Sequence, residues 1–298
     1  MTEIRRVGVL GCGLMGSGIA QACATAGYET VVREVSEELI SRGMDAIARG
    51  LQRAVEKDRM SAAERDRALE RITATIELTD LAGCDLVIEA VVEDLEVKNS
   101  LWRELEGICA EDAIFASNTS SLPISEMAAS LRRPDRLVGL HFFNPVAMMP
   151  LVEVVRTIAT DPSVFETAVA FARSLGKETI ECKDRSGFVV NLLLVPFMMD
   201  AIRAVEQGVA SIEDIDRAMR LGAGHPMGPL ALCDFVGLDT LDRIGEIMFR
   251  EYREKRYASP PLLKRMVALG YVGKKAGRGF YDYTKEPVEP VGGIGPGS

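Results

Sequence analysis

Short apolar runs recur along the first part of the chain, at Val7–Leu10, Thr30–Val32, Leu86–Ala90, Ile114–Ser117, Leu137–His141 and Leu151–Val155. Runs of this length, several rich in β-branched residues, predict strands, and helical patterns separate them. Strand and helix in alternation predict a doubly wound α/β domain whose mainly parallel sheet is covered on both faces. Between the second and third runs the pattern predicts two helices, Glu37 to about Asp58 and Ser61 to Ile72, the second opened by the capping-box sequence Ser61-Ala-Ala-Glu64. After Lys183-Asp-Arg-Ser-Gly187 the periodicity is helical as far as about Leu269, with turns at Gly222–Pro229 and Ser259–Pro261. The expected organisation is a first domain over 1–185, a mostly α-helical second domain over 186–284, and a disordered Pro- and Gly-rich tail over 285–298.

The first strand run leads into Gly11-Cys-Gly13-Leu-Met-Gly16, ahead of an Ala-rich helical stretch. A strand that reverses tightly into a helix needs residues without Cβ, both for the bend and so that backbone amides can approach a pyrophosphate. The helix N-terminus then turns its unpaired N–H groups toward the anion. Gly-rich turns are common, so the spacing alone does not separate a phosphate cradle from an ordinary turn. The second strand run is followed by Arg33-Glu34, and an acidic residue about 20 positions beyond the glycines is where a dinucleotide fold accepts hydrogen bonds from the ribose diol. Arg33 on that strand end could pair with a 2′-phosphate, but adjacent strand residues point to opposite faces, so only one of the two addresses the ribose. Glu34 is the expected one, which favours NAD over NADP. The first domain therefore reads as Rossmann-type, with Gly11, Gly13, Leu14, Met15, Gly16 and Glu34 at the cofactor.

Composition narrows the class. A chain of 298 residues with 47% hydrophobic residues has enough apolar material for two cores. A net charge of −9 argues against broad nucleic-acid binding while allowing a local basic patch. Six scattered cysteines with no Cys-x-x-Cys pair suggest neither a disulfide frame nor a metal site. Arg5-Arg6 and the apolar run up to Cys12 imitate a signal segment, but that run is too short for one. The apolar stretch Phe188–Ile202 is broken by Asn191, Pro196 and Asp200, so no membrane span is expected. These features predict an untethered cytoplasmic protein.

Only two histidines occur, His141 and His225. His141 ends a predicted strand in Gly139-Leu-His-Phe-Phe-Asn-Pro145, and in a doubly wound sheet such an end borders the ligand crevice. Glu153 lies within the apolar strand Leu151-Val-Glu-Val-Val155. There it either faces water from an edge or needs a partner, and an imidazole would be oriented by it as a general base. Ser117-Asn-Thr-Ser-Ser121 is either a hydroxyl-rich turn capping the helix near Pro123 or a set of donors for a substrate oxygen. Asn191, polar in an apolar helical run, is a buried structural amide or faces a cleft between the domains. His225, in a Gly- and Pro-dense turn, reads as structural.

Taken together, Gly11–Gly16, Ser117-Asn-Thr-Ser-Ser-Leu122, His141-Phe-Phe-Asn-Pro145, Leu151-Val-Glu-Val154, Gly187-Phe-Val-Val-Asn191, Pro226-Met-Gly-Pro229 and Gly237-Leu-Asp239 resemble the L-3-hydroxyacyl-CoA dehydrogenase family over residues 3 to 284. The nearest likeness is to its bacterial branch acting on 3-hydroxybutyryl-CoA. The resemblance implies reversible NAD-dependent oxidation of the (S)-3-hydroxyl of an acyl-CoA, with His141 as general base and Glu153 holding its imidazole. It implies that Ser120 and Asn191 bind substrate oxygens, and it gives cofactor roles to Glu34, Glu93, Lys98, Ser120, Asn144 and Lys275. It also supports a homodimer through the second domain. Leu192 departs from the family, which commonly has Arg after the helix Asn. Arg49, Arg53 and Lys57 recur at i, i+4 and i+8 on the first helix of the long pair, a stripe that is either a solvated face or an anchor for the CoA phosphates. Lys57 also matches a CoA-contacting lysine of the family, which places Arg53 and Lys57 in the substrate set. The competing readings are a dehydrogenase of a free hydroxy or sugar acid on the same plan, and a non-catalytic NAD-binding protein.

Overall fold

The computed structural model describes residues 3–294. The chain divides into two compact units, the first ending at Phe188 and the second beginning at Val189.

In the first unit, β1 (Arg6–Leu10), β2 (Glu29–Arg33), β3 (Ile72–Thr75), β4 (Leu86–Glu89), β5 (Ile114–Ser117), β6 (Leu137–Phe142), β7 (Leu151–Arg156) and β8 (Glu178–Lys183) form one sheet in the order β3-β2-β1-β4-β5-β6-β7-β8. Every neighbouring pair is parallel except β6 and β7. Only residues 143–150 join those two strands, and a parallel crossover needs about a dozen residues or more. The chain therefore turns straight back, and the sheet is mainly parallel, as the strand–helix alternation predicts, with this one antiparallel pair. β3 and β8 were not expected from the apolar pattern. Both lie at sheet edges; Ile72-Thr-Ala-Thr75 is short and polar, and Glu178-Thr-Ile-Glu-Cys-Lys183 alternates charged with apolar residues.

Helices α1 (Leu14–Thr25), α2 (Glu37–Glu56), α3 (Ala62–Glu70), α4 (Leu95–Ile108), α5 (Ile124–Ala128) and α6 (Pro162–Ser174) flank the sheet. Alternate strand residues feed two cores. Val7, Val9, Leu86, Ile88, Leu140 and Phe142 pack with α1, α2, α3 and α6, while Leu10, Val87, Phe115 and Val155 pack with α4 and α5. Local chemistry sets the helix starts. The Ser36 hydroxyl caps α2, Ser61 and Glu64 form the predicted capping box of α3, and the Asp94 carboxylate accepts the Glu96 and Val97 amides to open α4. α2 stops at Glu56, so Lys57 is its C-cap and not part of the predicted helical stripe, which keeps Arg49 and Arg53 alone.

The second unit holds α7 (Val190–Glu206), α8 (Ile212–Gly222), α9 (Pro229–Val236), α10 (Leu238–Tyr252) and α11 (Pro261–Ala268) around Met198, Met199, Leu230, Leu241, Tyr257 and Phe280. Two short strands, β9 (Tyr281–Asp282) and β10 (Glu289–Pro290), pair antiparallel. The segment expected to be a disordered tail thus folds back, and the Val291 amide donates to the Phe280 carbonyl with Val291 itself buried. Residues 295–298 of that expected tail lie outside the described residues. No helix among the described residues is long and apolar enough to cross a membrane.

Two buried carboxylates organise this unit. Asp216 accepts the Leu230 and Ala231 amides at the start of α9 and the Tyr281 hydroxyl. Asp234 accepts the Phe280 and Tyr281 amides and the Tyr283 hydroxyl. Two glycines make room for them: a Cβ on Gly228 would lie 2.2 Å from Asp216 Cγ, and one on Gly279 would lie 2.0 Å from Asp234 Oδ1. Burial pushes the Asp234 carboxyl up to about 6, against the amide and hydroxyl donors that pull it down. A carboxyl raised on folding contributes stability below its unfolded value, and that contribution is lost as pH rises through the folded value. Relative to Asp234→Asn, the native chain should therefore lose up to about 3 kcal/mol of unfolding free energy between pH 4 and pH 6. Urea unfolding across that range checks it, and parallel pH profiles for the two proteins would contradict it.

Candidate functional site

The glycine turn joins β1 to α1 at the carboxyl edge of the sheet. Gly11 has φ +89°, and a Cβ there would lie 2.7 Å from the Ala90 carbonyl oxygen. A Cβ on Gly16 would lie 1.9 Å from the Gly11 carbonyl oxygen, so α1 can start only where a glycine faces the turn. Around Gly13, by contrast, the space is open. Gly13 is the N-cap of α1, no side chain caps that helix, and no acidic residue lies in its first turn. An uncapped helix N-terminus beside open space suits a phosphate. Leu14 is largely exposed and Met15 half-buried beside it. Cys12 is buried against α2, where a Cβ on Gly43 would lie 2.1 Å from its Sγ. Burial pushes the Cys12 thiol up to about 11, with the Glu34 carboxylate adding to the rise.

Glu34 and Arg33 separate as the strand alternation requires. Glu34 Oε1 accepts the Cys12 amide at 2.8 Å and Oε2 accepts its neighbour's amide, Val35 N, at 2.9 Å, so the carboxylate stands over the glycine turn. Arg33 Nε instead donates to the Ile76 carbonyl at 3.2 Å.

The same edge carries a polar layer on the face covered by α4 and α5. In register, Glu89 of β4 pairs with Ser117 of β5, Ser117 with Gly139 of β6, and His141 of β6 with Glu153 of β7. Reversal of β7 places His141 directly opposite Glu153, and His141 Nδ1 lies 2.6 Å from Glu153 Oε2. Both are buried, at 5% and 0% exposure. A carboxylate only accepts, so the bond fixes the ring proton on Nδ1 and leaves the Nε2 lone pair for a proton. Phe143 and Phe188 flank the imidazole, with ring centroids at 4.5 and 5.6 Å. The alternative of a Glu153 facing water from an edge is excluded by its burial.

Beneath the Ser117–Ser121 turn, Lys98 Nζ lies 2.5 Å from Glu89 Oε1 and 3.2 Å from Glu93 Oε2. Lys98 is 1% exposed, and its ammonium is held between these two carboxylates. Glu93 in turn accepts from the Thr119 and Ser121 hydroxyls and, at 3.3 Å, the Ser120 amide. Burial alone would raise the Glu93 carboxyl, but Lys98 and those hydroxyls outweigh it and hold it below the usual carboxylate range. Asn118 Oδ1 accepts the Phe142 amide at 2.9 Å, tying this turn to the strand of His141. The hydroxyl-rich turn therefore belongs to the layer that carries the histidine, with Ser120 half-buried on it. Glu89 and Asn118 were not singled out from sequence. A charged residue inside the apolar run Leu86-Val-Ile-Glu89 was the available signal, the same one that drew attention to Glu153.

The remaining expected residues are dispersed. Asn144 is exposed in the turn after β6. Arg53 lines a cleft of about 560 Å³ between α2 and α3 with Arg49, Gln52 and Arg65, and exposed Lys57 lies outside that lining. In the second unit, Asn191 sits in the first turn of α7, half-buried. There too Lys275 Nζ donates to Asp239 at 2.7 Å, and the His225 ring packs on Phe197 at 5.2 Å.

Comparison with known proteins agrees across both units. A family model described as 3-hydroxyacyl-CoA dehydrogenase, NAD binding domain, matches residues 6–185, and one for the 3-hydroxyacyl-CoA dehydrogenase C-terminal domain matches residues 187–283. A 3-hydroxybutyryl-CoA dehydrogenase of Mycobacterium tuberculosis is 53% identical over 282 residues, covering 94% of this chain and 99% of that protein. The human mitochondrial hydroxyacyl-coenzyme A dehydrogenase is 46% identical over 289 residues, covering 94% and 91%. The crystal structure of (S)-3-hydroxybutyryl-CoA dehydrogenase from Ralstonia eutropha superposes with a TM-score of 0.91 at 42% identity, covering 95% of this chain and all of that one.

Removing one member of a buried ion pair leaves an uncompensated charge, which costs about 3–5 kcal/mol. Lys98→Met should lower the unfolding free energy by that amount in a denaturant titration, and a loss below about 1 kcal/mol, the scale of an exposed pair, would show that the site is solvated.

Proposed function

The chain belongs to the 3-hydroxyacyl-CoA dehydrogenase family, and from that premise we propose that it catalyses the reversible NAD-dependent oxidation of (S)-3-hydroxyacyl-CoA, in particular 3-hydroxybutyryl-CoA, to the 3-ketoacyl-CoA. The buried His141–Glu153 pair at the carboxyl edge of a nucleotide-binding sheet carries this reading. Gly11, Gly13, Leu14, Met15 and Gly16 hold the dinucleotide phosphates at the start of α1, and Glu34 receives the ribose diol, with Arg33 directed to the Ile76 carbonyl. When bound, the nicotinamide supplies the hydride acceptor. His141 Nε2 takes the proton of the 3-hydroxyl as the carbinol carbon gives up its hydride, and in reduction it returns that proton to the ketone oxygen. Glu153 keeps the imidazole in the tautomer that exposes Nε2 and opposes the positive charge that the ring gains.

Ser120 and Asn191 donate to substrate oxygens. Glu93 fixes the turn that carries Ser120, and with Lys98, Ser120, Asn144 and Lys275 it completes the cofactor set. Arg53 and Lys57 contact the CoA phosphates, supported by the exposed basic residues at the end of α2. Leu193, Val209, Leu221 and Phe235 of the second unit are exposed, which supports a homodimer through that unit; a cytoplasmic setting belongs to the same proposal.

Acetoacetyl-CoA reduction with NADH, against free keto acids, tests the substrate class, and a preference for the free acids overturns it. His141→Ala should lower kcat about 10²- to 10⁴-fold with NADH affinity intact. Unchanged turnover would remove His141 as the base. The double substitution Arg53→Ala and Lys57→Ala should raise KM for acetoacetyl-CoA far more than for NADH, and equal effects on the two would contradict the CoA assignment. Light scattering should give a dimer; a monomer would refute that part.

A further inference from the structure

The charge of the cluster around Lys98 can be counted from its hydrogen bonds. Glu89 Oε1 accepts from Lys98 Nζ at 2.5 Å and Val91 N at 2.8 Å, and Oε2 accepts from Ser117 Oγ at 2.7 Å. Ser117 Oγ itself accepts the Thr119 amide while donating to Glu89. Glu93 Oε1 accepts from Ser120 N, Ser121 Oγ and Thr119 Oγ1, while Oε2 faces Lys98. Thr119 Oγ1 accepts the Ser121 and Leu122 amides, which commits its proton to Glu93. Lys98 Nζ, Val91 N and Ser120 N can only donate, and the three hydroxyls are oriented as donors, so the surroundings match both groups in their carboxylate form. One ammonium against two carboxylates leaves one negative charge in excess. Glu89 and Lys98 are fully buried and the Glu93 side chain is 19% exposed, so solvent screens that charge only in part.

The cluster also has a defined position. Glu89 is in register with Ser117 and Ser117 with Gly139, two residues before His141 on the same face of β6. Strand spacing and rise put the Glu89 and His141 Cα atoms roughly 12 Å apart. We propose that this excess charge sets the oxidation-state preference of the bound dinucleotide, favouring the cationic oxidised nicotinamide over the neutral reduced one. The inference rests on the dehydrogenase reading, in which a nicotinamide exchanging hydride with a carbinol held at His141 would have to lie near that residue. Contacts to phosphate and ribose are common to both forms and cancel in a ratio of affinities; an excess charge does not. A unit charge about 10 Å away at an effective dielectric of about 20–40 changes an affinity by about 4- to 15-fold.

The test is the ratio Kd(NAD+)/Kd(NADH), measured by calorimetry on the full chain for the native protein, Glu89→Gln, Glu93→Gln and Glu89→Asp. Both Gln variants should raise the ratio by about fourfold or more, while Glu89→Asp, which keeps the charge, should leave it within about twofold of native. Should Glu89→Gln fail to fold, Glu93→Gln decides alone, because loss of its direct contacts weakens both forms and only loss of its charge moves the ratio. Equal weakening of the two nucleotides overturns this inference and leaves the dehydrogenase reading intact. Failure of the native chain to bind either nucleotide overturns both.

Discussion

A connection of residues 143–150 is too short to carry the chain across a parallel sheet, so β7 returns antiparallel to β6 and the site follows from that reversal. The reversal sets a register in which His141 faces Glu153 across the strand pair. Strand alternation then turns both side chains to the α4 and α5 face, where Phe143 and Phe188 close around the ring. A parallel return would have brought β7 in from the opposite end of the sheet and separated the two residues along the strands. Imidazole and carboxylate are therefore positioned by backbone pairing, which is stiffer than a loop and needs no further ordering when substrate arrives.

The same edge solves a second electrostatic problem. Glu89 would be prohibitive in a buried strand by itself, and Lys98 equally so on the buried face of α4. Asp94 caps α4 so that Lys98 comes one turn into the helix, beneath both carboxylates. The hydroxyls of Ser117, Thr119 and Ser121 fill the remaining acceptor sites and tie the turn carrying Ser120 to strand ends on either side. A buried ion pair of this kind contributes little to stability compared with an apolar pair of similar size. Its consequence is order in the turn beside the histidine, together with a fixed local charge.

In the second unit the same device serves packing. Asp216 and Asp234 each take two amides and a tyrosine hydroxyl, and they bind α8 and α9 to the β9 segment in place of a larger apolar core. Gly228 and Gly279 sit where any Cβ would collide with these carboxylates, which gives both glycines a steric role. The fold-back of residues 285–294 follows from that anchoring, since β10 needs a fixed β9 to pair with. Composition suggested disorder there because Pro and Gly are poor in local preference, and local preference does not register a partner strand.

Periodicity and residue chemistry by themselves determined the α/β alternation, the helical pair with its Ser61 cap, the turn at Gly11–Gly16 and the opposite facing of Arg33 and Glu34. All of these depend on neighbours within a few positions. His141 and Glu153 stood out as polar residues in apolar runs, and the separation of twelve positions was visible, but their contact was not, because register depends on strand direction. The edge strands β3 and β8 escaped notice since their stability comes from pairing and not from an apolar pattern of their own. Glu89, Asp216 and Asp234 likewise acquired meaning only when distant segments met, as did the pairing of Lys98 with Glu89, because the cost of burying a charge is set by whatever lies across from it in space.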